Sequence, residues 1–126
     1  MAVDVLIVDD SATMRAIVAK TLKMTELPLG EIHNAANGRE GLEELAEHDV
    51  DIVLVDINMP EMNGMEMLDQ MRSTPEFAEI PVLVVSTEGS QTRIEELGRK
   101  GARFIQKPFT PETLKQAVEG LIGGKV

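Results

Sequence analysis

The sequence predicts an open α/β sheet of five parallel strands with helices on both faces. Two observations predict it. Across the 126 residues, short β-branched runs alternate strictly with longer segments of helical periodicity, five of each, the alternation that builds strand–helix–strand units. Three of the runs are almost continuously apolar, which suits strands buried on both faces between two helix layers. Right-handed crossovers follow by rule. The order of the strands does not follow from the pattern.

The first run is Val3-Asp4-Val5-Leu6-Ile7-Val8. The helix after it carries Met14, Ile17, Val18 and Leu22 on one face, with Ser11 placed to cap it. The second run, Ile32 to Ala36, is the weakest; Leu42 and Leu45 mark its helix after Asn37-Gly38. The third is Ile52-Val53-Leu54-Val55, followed after Asn63-Gly64 by a helix with Met67, Leu68 and Met71. The fourth is Val82-Leu83-Val84-Val85, with Ile94 and Leu97 in its helix. The fifth is Arg103-Phe104-Ile105-Gln106. Leu114, Ala117, Val118, Leu121 and Ile122 then repeat at i, i+3, i+4, i+7 and i+8, with Pro111 in the first turn.

Composition narrows the function. The chain is 43% hydrophobic and 27% charged, enough for a real core and ordinary for one domain spanning residues 1–126. No apolar run approaches the ~20 residues that span a bilayer. The N-terminal MAVDVLIVDD has acids where a secretory signal has basic residues. A soluble, cytoplasmic protein is expected. Cysteine is absent, which removes disulfides, thiolate metal sites and cysteine nucleophiles, and fits a reducing compartment. The formal net charge of −10 leaves no surplus for a large basic face, so neither nucleic acid nor an anionic membrane is the expected partner.

Ligands of open parallel sheets bind outside the carboxyl ends of the strands. Asp9 and Asp10 follow the first run, Asp56 the third, Ser86 and Thr87 the fourth, and Lys107 and Pro108 the fifth. The second ends in Ala35-Ala36 and offers nothing. Three carboxylates close together resist ionising together, and a divalent cation removes that penalty. Oxygen ligands without His or Cys select Mg²⁺, Mn²⁺ or Ca²⁺ over zinc. The carboxylates are too few for an all-protein calcium cage, whereas Mg²⁺ keeps waters and shares its sphere with phosphate. A carboxylate nucleophile, a cation, a hydroxyl and an ammonium make an apparatus for an aspartyl phosphate.

Each residue also has a plainer explanation. Asp9-Asp10 can cap a helix and complement its dipole. Asp56 precedes a Pro60/Asn63-Gly64 turn region where Asp is common. Ser86-Thr87 can be an ordinary helix entry, and a lysine is usually solvated. The functional reading rests on all of them falling on one sheet edge.

The segments VLIVDDSATMR (Val5–Arg15), LVDINMPEMNG (Leu54–Gly64), PVLVVST (Pro81–Thr87) and FIQKPF (Phe104–Phe109) closely resemble the receiver domain of bacterial two-component response regulators. The nearest likeness is the stand-alone chemotaxis (CheY-like) type. The resemblance spans essentially the whole chain. It implies a flavodoxin-like sheet of order 2-1-3-4-5; this family is a standing example of that order, which is carried over here rather than derived.

The resemblance also implies roles. Asp56 resembles the phospho-acceptor. Asp9 and Asp10 resemble the acidic pair, with Asp10 the direct Mg²⁺ ligand and Asp9 acting partly through water. Asn58 resembles the residue whose backbone carbonyl meets the metal. Lys107 resembles the lysine that pairs with the phosphoryl group, commonly followed by a cis bond, here to Pro108. Ser86 rather than Thr87 resembles the switch hydroxyl, and Phe104 the aromatic that follows it. Asn58 and Glu88 lie where the family tunes dephosphorylation. The implied donor is a phosphohistidine on a partner kinase, of the chemotaxis type or another. The implied output is a partner protein on the face of the fourth helix, fifth strand and fifth helix, bound by a monomeric switch that is not an enzyme. Mn²⁺ is expected to substitute for Mg²⁺. The chain departs from many chemotaxis members at Phe104, where Tyr is common, and at Ile57, where Trp often follows the acceptor. Phe can fill a pocket but cannot donate a hydrogen bond.

Four other readings compete. An aspartate-nucleophile phosphatase of the haloacid dehalogenase type also uses a carboxylate after its first strand, Mg²⁺ and a lysine. Its motif needs two aspartates separated by one residue, and Asp9 and Asp10 are adjacent. The chain can equally be a receiver excised from a larger regulator, or a docking module that keeps only the fold. Flavin binding is disfavoured by an aromatic content of three Phe. No phosphate-cradling glycine loop appears, so ATP is not the expected direct donor. Methionines inside the third helix are expected to fill core, whereas Met59 and Met62 are candidates for a partner surface. Glu43-Glu44 and Glu47 read as a solvated helix face, and His33 and His48 receive no role.

Overall fold

The structure is a computed structural model describing residues 2–87 and 89–123. In chain order its elements are β1 (Val3–Val8), α1 (Ala12–Met24), β2 (Leu29–Ala35), α2 (Gly38–Glu47), β3 (Ile52–Val55), α3 (Gly64–Ser73), β4 (Val82–Ser86), α4 (Gln91–Arg99), β5 (Ala102–Gln106) and α5 (Pro111–Ile122). The strands form one parallel sheet in the order β2-β1-β3-β4-β5. The order reverses beside β1, so the crevice at the topological switch point opens between the ends of β1 and β3.

Alternation along each strand divides the core in two. Val5 and Ile7 pack with Leu54 and Leu83 beneath Val18, Leu22, Leu114 and Val118 of α1 and α5. Leu6 and Val8 pack with Val53 and Val55 beneath Leu45 of α2, Met67, Leu68 and Met71 of α3, and Leu97 of α4. Every residue of β3 and β4 is buried, as continuous apolar runs require. The methionines of α3 fill core, with Met67 and Met71 almost fully buried. Met59 and Met62 are half-buried against the same core. No helix among the described residues is long and apolar enough to cross a membrane.

All five helices begin alike. Ser11, Asn37, Asn63, Ser90 and Thr110 each accept a hydrogen bond from the backbone N–H three residues on, an arrangement worth ~1 kcal/mol apiece. Asn63 and Glu66 complete a reciprocal capping box. Ser86 is therefore no helix entry: it ends β4, and α4 is capped by Ser90.

The structure departs from the sequence reading in three places. β2 starts at Leu29 and stops at Ala35, earlier at both ends than Ile32 to Ala36. It is an edge strand with only one residue buried, so its face toward solvent tolerates Glu31 and Asn34 and the apolar signal fades. Ile17 is 46% exposed. One residue before Val18, it is rotated about 100° off the inward stripe. Ile94 is 37% exposed, and Leu97 is the one residue of α4 that is buried.

Arg72, near the end of α3, holds the opposite edge together. Its guanidinium donates to the carbonyls of Lys100 (2.8 Å), Ile80 (2.9 Å), Ala78 (3.2 Å) and Gly101 (3.3 Å). It thereby ties α3 to the α3–β4 loop and to the α4–β5 turn, where Gly101 takes a left-handed φ of 74°. Burial lowers its pKa from the ordinary value, against a smaller opposing effect from Glu79, and it stays charged. Arg72→Met should leave these carbonyls without their donor and cost about 2–3 kcal/mol, read as a lowered urea midpoint with an unchanged m-value.

Candidate functional site

The site is built from backbone continuing the sheet one residue past its strands. Asp9 N–H donates to Ala35 O at 3.1 Å, Asp56 N–H to Val8 O at 3.0 Å and Lys107 N–H to Ser86 O at 3.0 Å. β1 and β3 are in register, Val8 opposite Val55, so Asp9 and Asp56 emerge side by side. Parallel strands all end on one edge. Residues far apart in sequence therefore converge without any loop having to find its way there.

Oxygens of Asp9, Asp10 and Asp56 lie within 4.8 Å of one another. Lys107 Nζ is 3.3 Å from Asp9 Oδ2 and 3.3 Å from Asp56 Oδ2. The side chains of Lys107, Asp9 and Asp56 are 15%, 7% and 14% exposed, so their attraction is poorly screened. The other oxygens are engaged locally. Asp9 Oδ1 accepts from Ser11 N–H at 2.9 Å, and Asp56 Oδ1 from Ile57 N–H at 2.7 Å. Arg15 donates to the Asp9 carbonyl. Asp10 is exposed and gives the cluster its open side.

One ammonium faces three carboxylates, leaving an excess of negative charge that a small divalent cation fits. The donors are hard oxygens and one flank is open to water, which matches a hard ion that keeps part of its hydration shell.

The other expected residues fall around this centre. Ser86 is fully buried. By alternation it shares a face of the sheet with Phe104, whose half-buried ring packs on the α2–α3–α4 side of the core. Thr87, beside it, is exposed. The Lys107–Pro108 peptide bond is cis, as the resemblance implies. Asn58 lies exposed in the loop after β3, and Ile57 is buried. Glu88 lies outside the described residues.

The structure adds supporting residues that sequence reasoning missed. A Cβ on Gly64 would sit 2.2 Å from the Asp56 carbonyl oxygen, so the start of α3 runs directly against the Asp56 backbone. Gly64 N–H also donates to Ile57 O at 2.9 Å. Asn37, 4% exposed, donates to Glu61 Oε2 at 3.0 Å, and Gly38 N–H to Met62 O at 2.8 Å. The loop after Asp56 is thus pinned to the start of α2. Asn63-Gly64 and Asn37-Gly38 announce turns in the sequence, but nothing there shows which backbone they touch.

Gly64→Ala should force this loop outward, cost about 1–3 kcal/mol in urea unfolding, and slow any chemistry at Asp56. Equal reactivity at Asp56 with unchanged stability would show that the contact is slack.

The chain is similar to known proteins over nearly its whole length. The family described as the response regulator receiver domain matches residues 5–119. The chain is 39% identical to the chemotaxis protein CheY1 of Helicobacter pylori over 94% of this chain and 95% of that one. It is 37% identical to CheY-3 of Vibrio cholerae over 91% and 88%. The structure of Vibrio cholerae CheY4 superposes with a TM-score of 0.84 at 34% identity, covering 96% of this chain and 99% of that one. CheY from Borrelia burgdorferi, solved with CheX, BeF3 and magnesium, superposes with a TM-score of 0.85 at 29% identity, covering 94% and 87%. With this sheet order, this edge of carboxylates and lysine, and these relatives, the chain belongs to the response regulator receiver domain family, among its CheY-type members.

Proposed function

We propose that the chain is a phosphorylation switch of a two-component pathway, accepting a phosphoryl group on Asp56 from the phosphohistidine of a chemotaxis-type kinase. The observation that carries this reading is the position of Lys107, 3.3 Å from carboxylates of both Asp9 and Asp56 at the switch-point edge.

Asp56 Oδ1 is held by Ile57 N–H, while Oδ2 faces Lys107. Oδ2 is therefore the attacking atom. As its bond to phosphorus forms, the bond from phosphorus to the kinase imidazole nitrogen breaks, and the imidazole leaves with the electron pair. The Lys107 ammonium moves from the carboxylate to a phosphoryl oxygen, so positive charge is already in place where negative charge arrives. Asp9, buried and tied to Ser11 N–H, keeps the lysine on station. Mg²⁺, with Mn²⁺ as substitute, would be held by Asp9, Asp10, Asp56 and the Asn58 carbonyl, and supplies further positive charge at the phosphoryl oxygens.

The readout is a two-state shift. The Ser86 hydroxyl turns toward the phosphoryl group, and Phe104 moves into the space it leaves. The face of α4, β5 and α5 then changes for an output protein. Phosphate biases this equilibrium only by its differential contacts with the two states. The Gly89 backbone packs close beside the Phe104 ring, where a Cβ would lie 2.9 Å from it, so a shift of the ring is felt by the segment after β4. Water hydrolyses the acyl phosphate, at a rate we assign to Asn58 and Glu88. The chain is a cytoplasmic switch rather than an enzyme acting on a separate substrate.

Incubation with acetyl phosphate and Mg²⁺ should add one phosphoryl group, mapped to Asp56 by mass spectrometry and lost in Asp56→Asn or with chelator. Label on Asp9 would favour the phosphatase reading. No label, with no binding of beryllofluoride, would leave a docking module. Asp10→Asn removes one of three mutually repelling charges. It should raise stability in chelator by about 1 kcal/mol while shrinking the stabilisation that added Mg²⁺ provides, both read by urea unfolding.

A further inference from the structure

The protein carries a second cluster of metal-ligating side chains away from the carboxyl edge. His33, Glu44 and His48 offer two imidazole nitrogens and a carboxylate oxygen, all within 4.8 Å of one another. Glu44 Oε1 lies 3.9 Å from His33 Nδ1 and 3.8 Å from His48 Nε2. The rings are stacked, with centroids 4.1 Å apart and planes inclined by 17°.

Regular structure brings the three together. Ala35 belongs to the core beneath α2, and His33, two residues earlier on the same strand, shares its face. Glu44 lies in the last turn of α2, and His48 caps the helix, its N–H donating to Glu44 O at 3.0 Å. A carboxylate of the helix and the imidazole of its cap thus meet a third ligand that rises from the edge strand. Exposure grades outward, from 14% for the His33 side chain through 29% for Glu44 to 41% for His48. The site is backed by protein and open to solvent on one side.

The separations of 3.8 and 3.9 Å are too long for hydrogen bonds. Ligand atoms at ~2.0–2.2 Å around a tetrahedral ion stand about 3.4 Å apart. The two Glu44 separations must therefore close by roughly half an ångström, and the two imidazole nitrogens, within 4.8 Å of each other, by up to about 1.4 Å. The parallel stack must open so that both lone pairs meet at one point. The terminal histidine torsion is broad, and the outer ring and Glu44 are free to turn into solvent.

We propose that His33, Glu44 and His48 form a binding site for a borderline divalent transition ion of the Zn²⁺ class, with a fourth position left to water. Two imidazoles and one carboxylate select Zn²⁺, Ni²⁺ or Cu²⁺ over Mg²⁺, so the two clusters take different metals. An ion here clamps the end of α2 to the edge strand and stabilises the folded chain by mass action. This site is independent of the phosphoryl chemistry proposed above.

The chain has two histidines, so the imidazole resonances of untagged protein report on this cluster alone. Zn²⁺ titrated into protein held in saturating Mg²⁺, which occupies the carboxylate edge, should move both sets of ring signals together at one equivalent. Mg²⁺ alone should move neither. His48→Ala and Glu44→Gln should each weaken Zn²⁺ binding by about tenfold or more, while both variants still take up phosphate from acetyl phosphate, showing that they fold. Movement of one ring only, the same shifts with Mg²⁺, or Zn²⁺ affinity unchanged in either variant would overturn the proposal.

Discussion

Lys107 lies 98 residues from Asp9 and 51 from Asp56 along the chain, yet its ammonium meets both carboxylates at 3.3 Å. Without that contact the nearly buried carboxylates of Asp9 and Asp56 would face each other beside the exposed Asp10 with no ammonium between them. Everything else at the carboxyl edge serves to hold this arrangement. Asp9, Asp56 and Lys107 are all fixed by sheet-continuing hydrogen bonds, so the backbone does not yield to the repulsion. The repulsion that remains makes the site useful: it is relieved only by incoming positive charge, and a transferable phosphoryl group needs that charge already assembled.

A parallel sheet suits this task because its ends are equivalent. β1, β3 and β5 each deliver a charged residue to the same edge at the same height. The fully buried Ser86 ends the strand between β3 and β5. Rigidity there contrasts with the segments between elements. The loop after Asp56 is held by Gly64 against the Asp56 carbonyl and by Asn37 and Gly38 at the start of α2. On the α4 side one fully buried residue, Leu97, anchors the helix. A face with so few buried anchors is the one that can shift at low cost, which fits the proposal that partners read it.

The two ligand clusters sort by donor chemistry. At the carboxyl edge the donors are carboxylates, hard and anionic. Between β2 and α2 they are two imidazoles and one carboxylate. Glu44 had read as part of a solvated face, and the histidines had no assigned role. The histidines had none because they lie away from the strand ends. The structure brings them together with Glu44 where the C-terminal end of α2 meets the edge strand β2.

Much was legible in the sequence because it depends on local periodicity. Strand–helix alternation, doubly buried runs and capping residues such as Ser11 reflect interactions within a few residues of one another. The polar residues after each run were legible too, because every parallel strand ends at one edge whatever the order. What stayed hidden depends on who neighbours whom. The limits of β2 blurred because it lies at the edge of the sheet and buries a single residue. The exposure of Ile17 depends on where α1 rests. The four carbonyls gathered by Arg72, the close approach of Gly64 to Asp56 and the meeting of His33 with His48 all join segments far apart along the chain. The amino-acid sequence by itself determined the elements and the chemistry available at their ends. Only the tertiary structure decided which of those groups touch, because contact between distant residues is set by packing of whole elements and leaves no periodic trace.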